Sequence, residues 1–573
     1  MGEAARLGPD QRRRDAETLR TQEFDVLVVG GGVTGAGIAV DAATRGLKVG
    51  LLEARDWASG TSSRSSKLIH GGLRYLEQLN LTLVREALKE RALLLGSIAP
   101  HLVRPVSFLI PLTHHAWQRA YYGAGVTLYD SLGAAFRSAR GLPHHQQLSR
   151  RRARALFPSL RADALVGAIR YWDAQVDDAR FTMTLVRTAA QYGTHVASST
   201  RVTGLLRDGE RVTGVHARDL ETGEEFDVRA RTVIAATGVW SDDVGSMLDD
   251  STGLKVRASK GVHLVVPHDR ITGDGGLILR TEKSVLFVIP WGQHWIIGTT
   301  DTDWSLDRAH PAASATDIDY ILDHVNRVLE RPLSRDDIEG VYAGLRPLLS
   351  GESDATSTLS REHAVVHPAP GLILVAGGKY TTYRVMAADA VDAAARDVAG
   401  VPESRTEHIP LVGAHGFTEA WETRGRIARE HGMAVARVEH LLHRYGSLTY
   451  ALLDLAADRP ELLEPLTGAP EYLAVEAVYA ALAEGALHLD DILTRRTRIS
   501  IETLDRGVAA APAVAELIAP VLGWGPETIK REVEHYQARV DAERQSQQQL
   551  DDRTADAARL GAPDVRGADL RIA

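Results

Sequence analysis

A glycine-rich turn near the start of the chain constrains the fold more than any other feature of the sequence. The apolar run at residues 24–29 leads into Gly30, Gly32 and Gly35, which fit the spacing G-x-G-x-x-G. In such a turn the first glycine makes the bend, the second lets the backbone approach a pyrophosphate, and the third packs a helix against the strand. The N-terminus of that helix presents free N–H groups to the phosphates. The turn therefore predicts a dinucleotide-binding unit.

The residues that follow complete a strand–helix–strand unit. We expect a helix over residues 35–45 and a second strand over residues 48–52, which Glu53 ends. An acid about 20 residues beyond the turn is placed to bind a ribose hydroxyl. A further glycine, Gly31, lies within the turn itself.

Two later apolar strands also end at glycines. The segment "TVIAATG" ends at Gly238, and "ILVAGG" ends at Gly377 and Gly378. We expect both strands to return to the dinucleotide fold, and the second places a helix N-terminus where a flavin ring could sit. Strand patterns between them predict a second sheet, with the substrate between the two domains. This arrangement favours FAD over NAD, although an ordinary strand–turn–helix would give the same late pattern.

Composition excludes several classes of function. The chain has 573 residues and no cysteine, which excludes disulfides, thiolate nucleophiles and cysteine-held metals. A formal net charge of −9 argues against a nucleic-acid binder. No apolar stretch approaches the ~18 residues of a membrane-spanning helix, and the N-terminus lacks the apolar core of a signal peptide. We expect a cytoplasmic protein without a metal site, whose redox chemistry belongs to an organic cofactor.

The length indicates roughly two to four domains, and the pattern predicts an α/β fold. We expect a Rossmann-like domain that is interrupted by a β-sheet substrate domain and followed by an all-α domain. The Rossmann-like domain comprises residues 24–100, 170–250 and 360–400, the substrate domain residues 101–169 and 251–359, and the helical domain residues 405–545. Residues 1–23 are expected to form a solvated tail, and residues 546–573 a polar, loosely ordered one.

Longer motifs resemble those of a known family. They are "TSSRSSKLIHGGLRYLE", "WDAQVDDAR", "KGVHLVVP", "FVIPW", "IIGTTDTDW", "LSRDDIEGVYAGLRPLL" and "GGKYTTYR", in this order. With them the chain resembles the FAD-dependent, membrane-associated glycerol-3-phosphate dehydrogenases of aerobic respiration, over residues 24–398 and more loosely beyond. The resemblance implies oxidation of sn-glycerol 3-phosphate to dihydroxyacetone phosphate, with FAD accepting the hydride and a membrane quinone reoxidising it.

Other functions remain open on the sequence alone. One is an oxidase of the same substrate that passes its electrons to oxygen, and another is a different FAD-dependent oxidoreductase. A flavin-containing binding or sensor protein without turnover is an alternative of another class. An NAD-dependent dehydrogenase is a further possibility.

The resemblance also implies which residues form the site. His263 would be the base, although a histidine in a strand is often only structural, and Arg346 and Lys379 complete the catalytic set. The substrate would be bound by Arg74, Tyr75, Thr299 and Arg361. The two arginines suit its phosphate group, because arginine pairs with phosphate oxygens through two parallel donors. The cofactor would be held or covered by Gly30, Gly31, Gly32, Gly35, Glu53, Thr61, Ser65, Ser66, Lys67, Leu68, His70, Gly71, Gly72, Val202, Gly238, Gly377, Gly378, Thr381 and Thr382.

A quinone partner requires contact with the bilayer surface, and residues 104–141 are the candidate segment. The side chains at Trp117, Tyr121, Ala124 and Leu128 fall on one helical face. Arginines at positions 119, 137 and 140 are available for anionic headgroups. The alternative is an ordinary helix whose apolar face packs on the core. For the C-terminal domain we expect a structural role or a homodimer contact.

Overall fold

The computed structural model describes residues 5–72, 80–114, 117–134, 142–248, 255–282, 285–349, 363–396, 398, 400–562 and 564–566. The strands are β1 Glu23–Val29, β2 Val49–Leu52, β3 Leu68–Ile69, β4 Val103–Leu112, β5 Gln146–Ser149, β6 Gly167–Val176, β7 His195–Ala197, β8 Thr200–Asp208, β9 Arg211–Asp219, β10 Glu225–Ala235, β11 Val256–Pro267, β12 Gly276–Arg280, β13 Val285–Trp291, β14 His294–Gly298, β15 Thr302–Trp304, β16 Gly340–Leu349, β17 His363–Ala369, β18 Leu372–Gly377, β19 Pro465–Leu466 and β20 Ala469–Leu473.

The helices, in chain order, are α1 Pro9–Thr21, α2 Val33–Thr44, α3 Leu81–Leu93, α4 Trp117–Ala134, α5 Arg150–Leu156, α6 Asp178–Gln191, α7 Ser241–Gly245, α8 Ala315–Asn326, α9 Tyr383–Ala395, α10 Phe417–Glu422, α11 Arg424–Glu430, α12 Val435–Tyr445, α13 Thr449–Leu455, α14 Ala474–Ala483, α15 Leu489–Asp491, α16 Ile499–Glu502, α17 Ala511–Leu522, α18 Pro526–Ser546 and α19 Asp552–Arg559. Shorter 3₁₀ and π turns connect several of these elements.

The first sheet is the Rossmann-like sheet that the glycine turn predicts. Its strands lie in the order β17-β18-β10-β1-β2-β7, and the pair β8–β9 extends it from β10. Strand β1 is parallel to both β2 and β10, and Val26, Leu27 and Val28 are fully buried. Such a continuous apolar run suits a parallel strand that is covered on both faces. Helices α2, α6 and α9 provide one cover, and α1 with the β8–β9 pair provides the other.

The second sheet interrupts the first one in sequence and carries the residues of the predicted substrate domain. Its order is β15-β11-β14-β13-β12-β4-β6-β3, with β16 paired to β11 and β5 paired to β6. Strand β6 lies wholly in this sheet, antiparallel to β4, although the predicted boundary at residue 170 divides it. The antiparallel register of β11 and β16 places His263 opposite Tyr342 and Ser259 opposite Arg346.

The C-terminal region is helical, as predicted, with its own buried core of leucine, alanine and tyrosine side chains. It is not purely helical, because β19 and β20 form a small antiparallel hairpin within it. The α/β fold class with a helical C-terminal domain is therefore confirmed.

Both predicted tails contain ordered helices that pack on the rest of the protein, in the part of the chain that the structure describes. Within α1, Leu19 is fully buried and Asp15 accepts a hydrogen bond from the backbone N–H of Val196 at 2.8 Å. At the other end, Ala555 in α19 is buried and Arg566 forms an ion pair with Asp491 at 2.8 Å. Composition indicates polar tails, but these residues contact partners 181 and 75 positions away, which local polarity does not reveal.

Candidate functional site

A cleft of about 270 Å³ opens at the end of β1 that carries the glycine turn. The glycines are sterically required there. A Cβ on Gly35 would lie 1.9 Å from the carbonyl oxygen of Gly30, and one on Gly30 would lie 2.6 Å from that of Ala236. Gly30 also has a φ of +112°, which side-chain-bearing residues rarely adopt. By contrast, a Cβ on Gly32 would meet only Ser62 Oγ, at 3.3 Å, so Gly32 leaves the cleft open.

Polar groups that suit a dinucleotide surround this opening. Glu53 lines the cleft, and its two carboxylate oxygens accept hydrogen bonds from the backbone N–H groups of Gly31 at 2.6 Å and Arg55 at 2.8 Å. Burial raises the pKa of Glu53, while these hydrogen bonds favour its charged form. Helix α2 begins after Gly32 with no side-chain cap at that residue; its first N–H, of Val33, donates to Ser62, and the next N–H groups of the first turn are available to phosphates.

The hydroxyl of Thr237 supports the same fit. It lines the cleft and is buried without a hydrogen-bond partner among the described residues. A buried polar atom of this kind is normally satisfied by a ligand or a water. Together, the glycine cradle, the helix N-terminus, the acid and this hydroxyl fit an elongated nucleotide such as FAD, with the ribose near Glu53 and the pyrophosphate near Gly32.

Nine of the predicted cofactor residues line the cleft. These are Gly30, Gly32, Glu53, Thr61, Ser65, Val202, Gly238, Gly377 and Gly378. Gly31 and Gly35 act in packing, since a Cβ on either would collide with neighbouring atoms. The other eight do not line the cleft, namely Ser66, Lys67, Leu68, His70, Gly71, Gly72, Thr381 and Thr382.

The side chain of Lys67 turns away from the cofactor region. Its ammonium is fully buried and forms an ion pair with Asp178 at 2.8 Å. Asp178 also accepts hydrogen bonds from the backbone N–H of Ser65 at 2.9 Å and from its hydroxyl at 2.7 Å. Lys67 therefore anchors the loop of residues 61–67, because its charge is paired with Asp178 in the interior and does not face the cleft.

A second group of predicted residues meets on one face of the second sheet. His263 is buried in β11, with Nε2 2.8 Å from Ser66 Oγ and its ring stacked on Tyr342 at 4.7 Å between centroids. Its Nδ1 is buried and has no hydrogen-bond partner in the described part of the chain. Burial, together with the positive charges of Arg346 and Lys67, lowers the pKa of His263 well below its ordinary value. The imidazole is therefore neutral at pH 7 and able to accept a proton.

Arg346 and Thr299 lie beside this histidine. The Nη2 of Arg346 donates to Thr299 Oγ1 at 3.1 Å, and its Nη1 lies 3.5 Å from a carboxylate oxygen of Asp301. A Cβ on Gly261, two residues before His263 in β11, would lie 2.6 Å from Arg346 and 2.5 Å from Thr299. Alternation along the strand thus puts Gly261 and His263 on one face, where the missing side chain makes room for the guanidinium.

The remaining predicted site residues are placed as follows. Lys379 follows Gly377 and Gly378, which have φ of +76° and +79°, and it lines the cleft. Thr381 Oγ1 accepts a hydrogen bond from the backbone N–H of His70 at 3.3 Å, which ties the two cofactor segments together. Arg74, Tyr75 and Arg361 lie outside the described residues.

Sequence reasoning missed three residues that organise the site. They are Asp178, which anchors the loop, Tyr342, which stacks on His263, and Ser62, which accepts a hydrogen bond from the first N–H of α2 at 2.9 Å. An acid pair before a helix is a detectable signal, since Asp177 caps α6 within the motif "WDAQVDDAR". The stacking and the Ser62 contact have no such signal, because each joins distant parts of the chain.

The candidate membrane-contact segment divides into two parts. Strand β4 lies inside the second sheet with Phe108 almost fully buried, so residues 104–112 do not form the predicted surface. Helix α4 does expose Trp117, Tyr121 and Leu128, at 57%, 49% and 40% of their surfaces, while Tyr129 on its other face is buried. Within the described ranges, no helix is both long and apolar enough to cross a membrane.

Comparison with known proteins agrees with this architecture. Residues 25–384 match the FAD dependent oxidoreductase family, and residues 404–529 match the C-terminal domain of alpha-glycerophosphate oxidase. The chain is 59% identical over 564 residues to glycerol-3-phosphate dehydrogenase 2 of Mycobacterium tuberculosis, which covers 98% of this chain and 96% of the relative.

More distant relatives extend the same similarity. The mitochondrial glycerol-3-phosphate dehydrogenase of Bos taurus is 38% identical over 559 residues, covering 93% of this chain and 75% of the relative. The solved glycerol-3-phosphate dehydrogenase from Bacillus halodurans complexed with FAD superposes with a TM-score of 0.77 at 29% identity, covering 93% of this chain and 98% of that one.

Proposed function

Because the chain belongs to the FAD dependent oxidoreductase family, we propose that it oxidises sn-glycerol 3-phosphate to dihydroxyacetone phosphate with FAD as its cofactor. The high identity to glycerol-3-phosphate dehydrogenases over nearly the whole chain supports this substrate. The observation that carries the proposal is the juxtaposition of two features. A dinucleotide cleft stands beside a sheet face on which a buried neutral histidine meets an arginine and a threonine.

Bound FAD would supply a hydride acceptor for the secondary alcohol. The glycine turn and the first turn of α2 would hold the pyrophosphate, and Glu53 would accept a hydrogen bond from a ribose hydroxyl. His263 accepts the proton of the substrate hydroxyl in the tautomer in which Nε2–H donates to Ser66 Oγ, because Nδ1 then carries the free lone pair. Arg346, with Thr299, donates to substrate oxygen atoms that carry negative charge. Lys379, which also lines the cleft, would add a positive charge near the cofactor.

Anaerobic reduction of the bound flavin tests this proposal directly. Addition of sn-glycerol 3-phosphate to the purified yellow protein without oxygen should bleach the absorbance band of oxidised flavin at ~450 nm. Glycerol, which lacks the phosphate, serves as the control and should leave the spectrum unchanged. A flavin that stays oxidised in excess substrate would contradict the proposed reaction and favour a binding protein.

We further propose that a membrane quinone reoxidises the flavin and that α4 contacts the bilayer surface. The exposed Trp117, Tyr121 and Leu128 support this, since aromatic and apolar side chains on one face of a helix suit an interfacial position. The Nη2 of Arg119 donates to the carbonyl of Leu148 at 3.3 Å, which ties that residue to the protein. The arginines at 137 and 140 lie outside the described residues.

One observation favours a second electron acceptor. The C-terminal region matches a domain that is named after alpha-glycerophosphate oxidase, and an oxidase would pass the electrons to oxygen. The two acceptors are separated by measuring hydrogen peroxide formation against reduction of a soluble quinone under the same turnover conditions. Stoichiometric peroxide with no quinone reduction would replace the quinone proposal with the oxidase.

A further inference from the structure

A second cavity, of about 60 Å³, lies behind the loop that borders the nucleotide cleft. The loop has two sides. Thr61, Ser62 and Ser65 line the cleft, whereas Ser63 and Arg64 line the second cavity. The opposite walls come from β16 and from the C-terminal helices α18 and α19. The volume is several times the roughly 10–15 Å³ that one water requires, and no described residue lines both spaces.

The walls of this cavity, which we call the rear cavity, carry an excess of positive charge. Four arginines line it, at positions 64, 498, 539 and 559, against one carboxylate, Glu543. Two of the four are already neutralised. Arg498 forms ion pairs with Asp177 and Asp178, both at 2.5 Å, and Arg539 pairs with Asp490 and with Glu543, the latter at 2.9 Å.

The other two arginines have weaker partners. Arg64 donates from Nη1 to the carbonyl of Ala309 at 3.0 Å, and no described carboxylate lies within ion-pairing distance of it. Burial and the positive charges of Arg55, Arg495, Arg539 and Arg559 lower the pKa of Arg64 to about 9. It is still a cation at pH 7, held among other cations.

Arg559 is only partly neutralised. Its Nε lies 3.7 Å from the carboxylate of Glu543, which Arg539 contacts more closely. Its Nη2 lies 3.3 Å from Nδ1 of His310, and His310 is neutral at pH 7 because burial lowers its pKa to about 4. Arg64 and Arg559 therefore line the rear cavity, Arg64 without an ion-pair partner among the described carboxylates and Arg559 paired only with Glu543, at 3.7 Å.

A buried hydroxyl completes the wall. Ser500 is 5% exposed and lines the rear cavity, and its Oγ has no hydrogen-bond partner among the residues described. Buried hydroxyl groups are rarely left in this state. A water could satisfy Ser500, but it would not neutralise the two guanidinium groups.

We propose that the rear cavity binds a phosphate-sized oxyanion, held by Arg64 and Arg559 and by the hydroxyl of Ser500. Guanidinium groups pair with tetrahedral oxyanions through two parallel N–H donors, and the volume suits a free phosphate ion. The site is distinct from the proposed substrate position, since His263, Thr299 and Arg346 do not line the rear cavity. Its occupancy would fix Arg64, and through it the loop that borders the cofactor.

Calorimetric titration of the FAD-bound protein with inorganic phosphate tests this site. Saturating dihydroxyacetone phosphate is present throughout, so that phosphate cannot bind at the proposed substrate position. We expect one remaining phosphate site per chain in the wild type. Arg64→Gln and Ser500→Ala should weaken it, the former by at least about tenfold because a charged hydrogen-bond partner is lost. Arg327→Gln, which changes an exposed arginine directly after α8, should leave it unchanged.

Two outcomes would overturn the proposal. The first is phosphate binding of equal strength in the wild type and in Arg64→Gln, with the FAD absorbance showing that both are folded. The second is a crystal structure, grown in phosphate, in which the rear cavity contains water alone. If Arg64→Gln fails to retain FAD, two other variants are compared with the wild type for phosphate binding. Arg64→Lys keeps the positive charge, and Ser500→Ala keeps the fold.

Discussion

At the scale of single residues, the proposed role of His263 as the base can be tested by substitution. The His263→Ala variant should slow anaerobic flavin reduction by ~10²-fold or more, because it removes the group that accepts the hydroxyl proton. Stopped-flow absorbance with saturating sn-glycerol 3-phosphate measures this rate. The matched control is His216→Ala, at an exposed histidine paired with Asp227, which should reduce at the wild-type rate. Unchanged reduction in His263→Ala would assign the base to another residue.

The glycines of the nucleotide turn separate cofactor binding from folding. Gly32→Val should give a folded but colourless protein, because the space around Gly32 is open and the new side chain enters the pyrophosphate path. Absorbance at ~450 nm, in the band of oxidised flavin, measures cofactor binding. Circular dichroism measures folding. Gly35→Val, whose Cβ would strike the backbone of Gly30, should fail to fold. A yellow Gly32→Val protein would place the cofactor elsewhere.

His101 makes stability depend on pH. Burial lowers its pKa to about 3, so the unfolded chain binds a proton that the folded chain excludes at pH values between about 3 and the ordinary histidine pKa near ~6.5. Stability from this group is therefore present above that window and is lost as the pH falls through it. From pH 7 to 5 the loss should be about 2 kcal/mol. Urea unfolding of the wild type and His101→Gln should show a smaller loss in the variant.

At the scale of secondary-structure elements, α4 carries the prediction about the membrane. The wild type should float with anionic liposomes, and the double variant Trp117→Glu, Tyr121→Glu should float less, because two exposed rings are replaced by charges that anionic headgroups repel. A second double variant, Tyr192→Glu, Leu504→Glu, alters two apolar residues exposed elsewhere and should float as the wild type does. Equal flotation of all three proteins would remove α4 from the proposed contact.

The elements also show how far sequence periodicity extends. The start of the first sheet is predicted closely, since β1, α2 and β2 each follow from an apolar run or a glycine. The same rules place Gly261 and His263 on one face of β11. They do not predict that α1 packs on the first sheet, because its mean hydropathy is low and its order depends on buried contacts such as those of Leu19 and Asp15. Periodicity predicts an element from the residues of that element alone. It does not predict contacts between two elements.

At the scale of the whole molecule, buried ion pairs connect the C-terminal helices to the nucleotide domain. Asp56, which follows β2, accepts hydrogen bonds from Arg495 and from Arg496, and all three side chains are buried. Asp56→Asn should destabilise the protein by about 3–5 kcal/mol, because it leaves buried positive charge without its partner. Urea unfolding measures this loss. Asp163→Asn, in an exposed ion pair with Arg161, is the control, and equal effects of the two changes would show that the interface contributes little.

The residues of the candidate site could be predicted only in part, and their assembly could not be predicted from the sequence. The resemblance supplies His263, Thr299 and Arg346, and the structure brings them together across β11 and its neighbours. The anchoring of the loop by Asp178 and the rear wall with Ser500 could not be predicted, because both depend on segments more than a hundred residues from the loop. Charge composition gives only totals, and the pairing that decides which arginine stays unmatched is a property of the fold.

The strand order of the first sheet also determines when the two sides of the cleft are synthesised. The cleft is bordered by the glycine turn after β1 and by Gly377 at the end of β18, and β10 links the β17–β18 pair to β1. A nascent chain on the ribosome therefore exposes its nucleotide-binding turn long before the opposite wall of the cleft has been synthesised. Until β18 emerges and pairs, the apolar edge of β10 needs protection from other chains, and cofactor capture is a late event in maturation.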